Sequence, residues 1–454
     1  MANNIDLGKD KIGGLLLKLA LPSITAQLVN ALYNIVDRIF IAKIPGIGEM
    51  ALTGVGVTFP IIMLISAFAA LVGAGGAPMV AIRMGEGNFN IAKKILANAF
   101  TMLIITALIL TTFFLVFGEK ILLMFGASEV TVIYGLEYLK IYLIGTIFVQ
   151  FALGLNPYIS AQGFAKTAMA TVVIGAIINM ILDPIFIFGF DMGVKGAATA
   201  TVISQFISAT WAILFLMSKK NKLRFEMRDM ILKKSIIFPV LALGISPFVM
   251  QSTESLVMTV LNTSLQYYGG DPAVAVMTVI TSTMQFMTMP LSGIAMAGQP
   301  IISYNYGARN IERVKLAFKY VVVCATIYTI LLWTIVMTFP QIFVNLFLQD
   351  QNLMEMCIWA IKIFMGGVFM LGIQFACQQT FLALGQAKIS LILALTRKIF
   401  LLIPLAIILP FILGDNVFAV FVSEAIADIL ASTITLITFI VMFKKILNKR
   451  RNLE

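Results

Sequence analysis

The stretch GLLLKLALPSITAQLVNALYNIVDRIFIAKI, residues 14–44, decides the fold. It is longer and more uniformly apolar than the roughly 20 residues that cross a bilayer as a helix. Two residues interrupt it, Pro22 and Asp37, the latter in Asn34-Ile35-Val36-Asp37-Arg38-Ile39. An ionised acid near the bilayer centre costs at least ~2.5–3.5 kcal/mol, so it must face a protein interior or a water-filled cavity. Arg38 points about 100° further round the helix and is poorly placed to neutralise it. The expectation is that Asp37 serves cation coupling.

Outward from this helix, the whole chain reads the same way. Of 454 residues, 60% are hydrophobic and 12% charged, and mean hydropathy is +1.00. A β-barrel would show short alternating strands instead of solid apolar blocks, which leaves an all-α helical bundle. Twelve spans are expected, near 14–44, 50–80, 93–117, 130–153, 168–188, 194–217, 236–267, 272–302, 314–339, 354–378, 389–413 and 416–443. An even count puts both termini on one side. The net charge of +11 follows the positive-inside pattern: 26 of 32 Lys and Arg fall in segments assigned to the cytoplasm, including seven from Lys219 to Lys234, and Lys388, Arg397 and Lys398. Nucleic acid is therefore excluded as the reason for the charge, and the anionic lipid bilayer is the expected contact. The first span is expected to remain as an uncleaved anchor. Cys324, Cys357 and Cys377 show no metal spacing and read as buried free thiols.

A Lys- and Arg-rich linker at 218–235 divides the chain into residues 1–217 and 236–454. The halves repeat at one constant offset: Leu19-Ala20-Leu21 recurs as Leu241-Ala242-Leu243, Gly76-Ala77-Pro78 as Gly298-Gln299-Pro300, Gly85 and Asn88 as Gly307 and Asn310, and Gly163-Phe164-Ala165-Lys166 as Gly385-Gln386-Ala387-Lys388. Six spans per copy give parallel repeats, an arrangement of secondary transporters that work by alternating access.

Residues that could carry the coupling are few. Asp37 precedes Pro45, Asp183 precedes Asp191 and Thr201 follows Gly193, all at the same spacing of a little over two helical turns. All three therefore sit at one depth, roughly 12 Å below the outer loops at ~1.5 Å per residue. Asn179 shares the helix face of Asp183. Two carboxylates, an amide oxygen and a hydroxyl in one layer suit a small hard cation or protons. Asp183-Pro184 reads alternatively as a simple kink. In the second half, Glu254 on the seventh span and Glu424 and Asp428 on one face of the twelfth form either a second acidic site or neutral hydrogen-bonding groups. No Walker loop, no His and no nucleophile elbow occurs, so ATP hydrolysis and enzyme chemistry are disfavoured, and no cofactor is expected beyond a coupling ion, H⁺ or Na⁺.

Val36-Asp37-Arg38, the loop from Gly85 to Lys94 with its copy at Gly307, Asn179-x-x-x-Asp183-Pro184 and Gly196-Ala197-Ala198-Thr199-Ala200-Thr201 resemble the multidrug and toxic compound extrusion (MATE) family, over the whole chain. Within it the sequence looks most like the bacterial branch that includes the DNA-damage-inducible type exporters. The resemblance implies two six-helix lobes in a V and an inner-membrane antiporter, expected as a monomer, that expels small cationic or amphipathic organic compounds in exchange for H⁺ or Na⁺. It implies that Asp37, Asn179, Asp183 and Thr201 form the cation site and that Pro22 bends the first helix. In some members a seventh-span Glu, here Glu254, pairs with a tenth-span Asp. That position falls here at about Ile373, beside Gln374, which breaks the pattern. A flippase for lipid-linked saccharides or cell-wall precursors is the alternative from the same superfamily, and its anionic cargo would favour basic residues along the path.

Overall fold

In a hydrocarbon solvent every backbone N–H and C=O must pair within the chain, and long apolar segments meet that demand as helices. The computed structural model describes residues 5–452 except 219, 220, 222, 225, 226, 349 and 415, and among the described residues all elements are helical. Lys219, Lys220 and Lys222 of the basic linker lie outside them.

The long helices, in chain order, are α1 Ile12–Ala42, α2 Gly48–Gly85, α3 Phe89–Met124, α4 Thr131–Ile144 continued by Thr146–Ala161, α5 Ala165–Gly189 and α6 Gly193–Met217. The helical stretch Lys234–Gly307 carries a non-helical Gly270 (φ 65°, ψ −162°), which makes it two helices, α7 (234–269) and α8 (271–307). Then follow α9 Ile311–Thr338, α10 Gln351–Ala383, α11 Ala387–Ile412 and α12 Asn416–Arg451. Ten of the helical stretches are long and apolar enough to cross a membrane; the bent pair of α4 adds an eleventh, and the break at Gly270 divides one of them into two. The chain is a multi-pass, all-α membrane protein.

The repeat seen in the sequence is repeated in backbone conformation. Asn88 caps α3 by accepting from the Ile91 N–H, with φ −90° and ψ 67°. Asn310, its counterpart, caps α9 by accepting from the Arg313 N–H, with φ −83° and ψ 76°. Before each cap stands a residue in the left-handed region, Gly87 (φ 75°) and Arg309 (φ 57°). A non-glycine residue there is uncommon, so the turn geometry is kept even where glycine is not. The 61° bend of α4 is at Gly145, and Gly367, its counterpart in the second half, lies in the 3₁₀ turn Met365–Met370 that interrupts α10.

Two compact units result. Unit 1 is residues 1–6 and 25–251, and unit 2 is residues 7–24 and 252–454. Packing thus assigns the first part of α1 to unit 2 and the first part of α7 to unit 1, a finer division than one at the linker. The change of unit within α1 falls at Ile24–Thr25, just past Pro22, whose missing N–H removes one helical hydrogen bond. Two asparagines fasten the segments that lead into the helices. In unit 1, buried Asn98 donates to the Lys94 and Asp229 carbonyls (2.9 and 3.0 Å) and accepts from the Lys233 N–H (2.8 Å). In unit 2, buried Asn305 donates to the Leu7 carbonyl (2.9 Å), and Arg313 donates to the same carbonyl and to that of Asp10 (3.2 and 2.8 Å).

All three cysteines are free, but only Cys357 and Cys377 are buried. Cys324 is exposed, a correction to the sequence reading. In lipid an apolar thiol gains nothing by turning inward, so hydropathy does not select the face it occupies.

Candidate functional site

Three helices of unit 1 build the cluster. α5 is helical through Pro184 and then winds as a π-turn over Ile185–Gly189. Pro184 has no N–H to return to the preceding turn, and the wider winding absorbs that loss without a sharp break. α6 packs closely on this turn because Gly196 has no side chain: a Cβ there would stand 2.7 Å from the Phe186 carbonyl carbon. The close approach brings Thr201, one and a half turns further along α6, against the polar face of α5.

There the Asn179 amide nitrogen donates to Asp183 Oδ1 at 3.1 Å and reaches Thr201 Oγ1 at 3.4 Å. All three side chains are buried, at 1%, 0% and 3% exposure. Asp37, on the part of α1 that belongs to unit 1, turns its carboxyl toward that of Asp183 at hydrogen-bond range. The four residues singled out by spacing therefore meet in one place. Arg38 does not join them; its guanidinium lies 5.2 Å from the centroid of the Phe59 ring.

The satisfaction of this cluster is incomplete. Asp37 Oδ1, Asn179 Oδ1 and Asp183 Oδ2 are all buried with no hydrogen-bond donor. Buried acceptors are paired in the great majority of structures, and an unpaired one costs about 1–3 kcal/mol. Three such oxygens in one place are chemically suited to a proton or a hard cation. Sequence reasoning missed the wall of this place. Tyr33 of α1 stands near both acids and Tyr138 of α4 near Asp37, with the Tyr138 hydroxyl in reach of Thr201, and Tyr142 lies beside these two rings, stacked on Tyr138 at 6.1 Å. The i,i+4 spacing of Tyr138 and Tyr142 was the available signal.

In unit 2 the acids have basic partners, which the sequence reading did not include. Arg397 on α11 donates from Nε to Asp428 Oδ1 at 2.9 Å and from Nη2 to Glu424 Oε1 at 3.3 Å. Lys398 pairs with Glu254 on α7. The acids are thus partnered by two basic residues that the charge pattern had assigned to a cytoplasmic segment; both lie inside α11, in its π-helical turn Thr396–Leu402. Burial of a long cation is tolerated where a carboxylate meets it, which no hydropathy pattern reveals. Gln374, beside the position where some relatives carry an acid, accepts from the Ser432 hydroxyl at 3.1 Å.

The family pattern of MatE matches residues 22–185 and 247–408. Among curated relatives, the multidrug export protein MepA of Staphylococcus haemolyticus (strain JCSC1435) is 26% identical over 414 residues, 91% of this chain and 90% of the relative. MepA of Staphylococcus aureus (strain NCTC 8325 / PS 47) is 25% identical over 417 residues, 91% of each. Among solved structures, a MATE protein crystallised in complex with MaL6 superposes with a TM-score of 0.91 at 24% identity, covering 98% of this chain and 99% of that one. A MOP superfamily transporter from Pyrococcus furiosus Vc1 (DSM3638) superposes equally well, at the same identity and coverage.

Proposed function

We propose, from the premise that this chain belongs to the MatE family, that it is a secondary active multidrug exporter of the cytoplasmic membrane, with both termini in the cytoplasm and acting as a monomer. It is a transporter and not an enzyme. The curated relatives are named multidrug export proteins, which supports small organic molecules as substrates. The acidic character of the unit 1 cluster favours cationic or amphipathic ones. No cofactor is needed besides the coupling ion, H⁺ or Na⁺.

The observation that carries this reading is the trio of buried, donorless oxygens on Asp37, Asn179 and Asp183. A proton taken up between the Asp37 and Asp183 carboxyls supplies the missing donor. A sodium ion would be held by the same three oxygens with Thr201 Oγ1, ligands of the hard oxygen type that such a cation selects. Either event removes net negative charge from the cluster. In the proposed cycle the ion arrives from outside and lowers affinity for the organic substrate, which leaves. Only differential affinity between states can drive such exchange, and a coupling free energy of about 1–3 kcal/mol corresponds to a 5–150-fold change in affinity.

The test is dye efflux from proteoliposomes under an imposed pH or Na⁺ gradient, wild type beside Asp37→Asn at equal reconstitution. Gradient-driven export is expected for wild type under one of the two gradients and lost in the variant. Undiminished export by Asp37→Asn would refute the assignment. The flippase reading is not favoured: pyrophosphate cargo calls for basic groups open to the path, whereas Arg397 and Lys398 are engaged by acids of their own unit.

A further inference from the structure

The charged cluster of unit 2 has no counterpart in unit 1, and its charges do not balance. At the offset of the repeat, Asp37, Asn179 and Asp183 correspond to Thr259, Leu401 and Leu405, so the unit 1 site is not duplicated. Arg397, Glu424 and Asp428 correspond to Gly175, Val202 and Phe206. Unit 2 has built a separate polar centre.

The Glu254–Lys398 pair is neutral by itself, and its Glu254 side chain is 48% exposed. What remains is one guanidinium between two buried carboxylates: the side-chain exposures of Arg397, Glu424 and Asp428 are 16%, 8% and 0%. Arg397 makes both of its contacts to Asp428 at Oδ1 and leaves Oδ2 buried without a donor. Backbone also packs close to the pair. Gly367, in the 3₁₀ turn of α10, sits so near that a Cβ there would be 2.8 Å from Asp428 Cβ. The charged groups that face the two acids are Arg397 and Lys398 of α11 and Glu254 of α7.

An unmatched negative charge in such surroundings is costly, and one positive charge would cancel it. A hard metal cation needs a shell of oxygens. Here the guanidinium already occupies Asp428 Oδ1 and Glu424 Oε1, and Asp428 has a single oxygen left without a donor. A proton needs only that. Glu424 and Asp428 are four residues apart on one helix face, so a proton on Glu424 creates a hydroxyl that can donate toward Asp428 Oδ2. We propose that unit 2 binds one exchangeable proton on the Glu424–Asp428 pair, beside Arg397, independently of the cluster in unit 1. The step is simple uptake: hydronium gives its proton to one carboxylate and leaves as water, and Arg397 keeps its charge and its contacts.

The experiment is infrared difference spectroscopy of the purified full chain in nanodiscs, between neutral and alkaline buffer, reading the carbonyl stretch of carboxylic acids. The background carries Asp37→Asn and Asp183→Asn, so unit 1 contributes nothing and a failure of the unit 1 reading does not affect the result. One carboxylic acid equivalent is expected in this background. Adding Glu424→Gln, or separately Asp428→Asn, leaves one acid for one guanidinium, and the signal should vanish. Adding Arg397→Gln leaves two unmatched acids, and the signal should double. Absence of the signal in the background, or its persistence in both amide variants, overturns the proposal. The two amide variants preserve side-chain size, and the test stands on them and the background alone should size-exclusion or thermal unfolding profiles show that Arg397→Gln does not fold.

Discussion

Asn179 gives one amide nitrogen to two partners, Asp183 Oδ1 at 3.1 Å and Thr201 Oγ1 at 3.4 Å, and this shared donor holds α5 and α6 in register at the acid pair. Its own oxygen is left free for a ligand. Asn179→Ala should therefore remove both a ligand and the group that aims Asp183. Initial rates of gradient-driven dye export are expected to fall at least about tenfold, within the usual range of coupling energies, with expression unchanged. Export at wild-type rates in reconstituted vesicles would remove Asn179 from the site.

Arg38 and Asp37 are neighbours in sequence with separate tasks. The Arg38 guanidinium rests over Phe59, so Arg38→Gln should keep export within about twofold of wild type and lower stability by no more than a cation–π contact at an exposed site, about 0.5–1 kcal/mol. Paired efflux assays of Arg38→Gln and Asp37→Asn check this. Equal losses in the two variants would mean that Arg38 is the counter-ion of the acid after all.

Gly75 of α2 lies against α7 within unit 1, where a Cβ would stand 2.8 Å from both Cα and N of Gly244. Small residues at such crossings let helix backbones approach in the absence of a hydrophobic driving force. Gly75→Val should cost about 1–3 kcal/mol through overpacking and lower the melting temperature in detergent. Gly56→Val is the control, since a Cβ at Gly56 meets nothing within 4 Å, and its melting temperature should match wild type.

Asn98 fastens the segment that leads into α7, with Thr101 adding a hydrogen bond to the Met230 carbonyl at 2.8 Å. Asn98→Ala removes three hydrogen bonds, each worth about 0.5–1.5 kcal/mol net. Limited trypsinolysis should then cut after Arg228 and after Lys233, on either side of the fastened residues, several times faster than in wild type. Unchanged cleavage kinetics would show that the segment is held by other contacts.

Much of the unit 1 site was legible because it is written in short-range terms. An acid in an apolar run, an i,i+4 Asn–Asp pair and equal distances from loops place Asp37, Asn179, Asp183 and Thr201 in one layer before any packing is known. In unit 2 the acids Glu254, Glu424 and Asp428 could be named from sequence but their basic partners could not, because those are set by helix rotation and by separations of 27, 31 and 144 residues. Arg397 and Lys398 look like loop charges in a hydropathy count, and only the acids that meet them explain their place inside α11.

The amino-acid sequence by itself determined that this protein crosses a membrane with apolar helices, that its second half repeats its first, and that acids stand where lipid forbids them, since hydrophobic length, period and the cost of buried charge act along the chain. Tertiary structure alone decided that α1 and α7 each contribute to both units, that Tyr33 and Tyr138 stand beside the acids of unit 1, and that two acids of unit 2 share one arginine. Those outcomes depend on which faces meet across helices, and in a lipid solvent it is close packing and polar pairing, not hydrophobicity, that choose the faces.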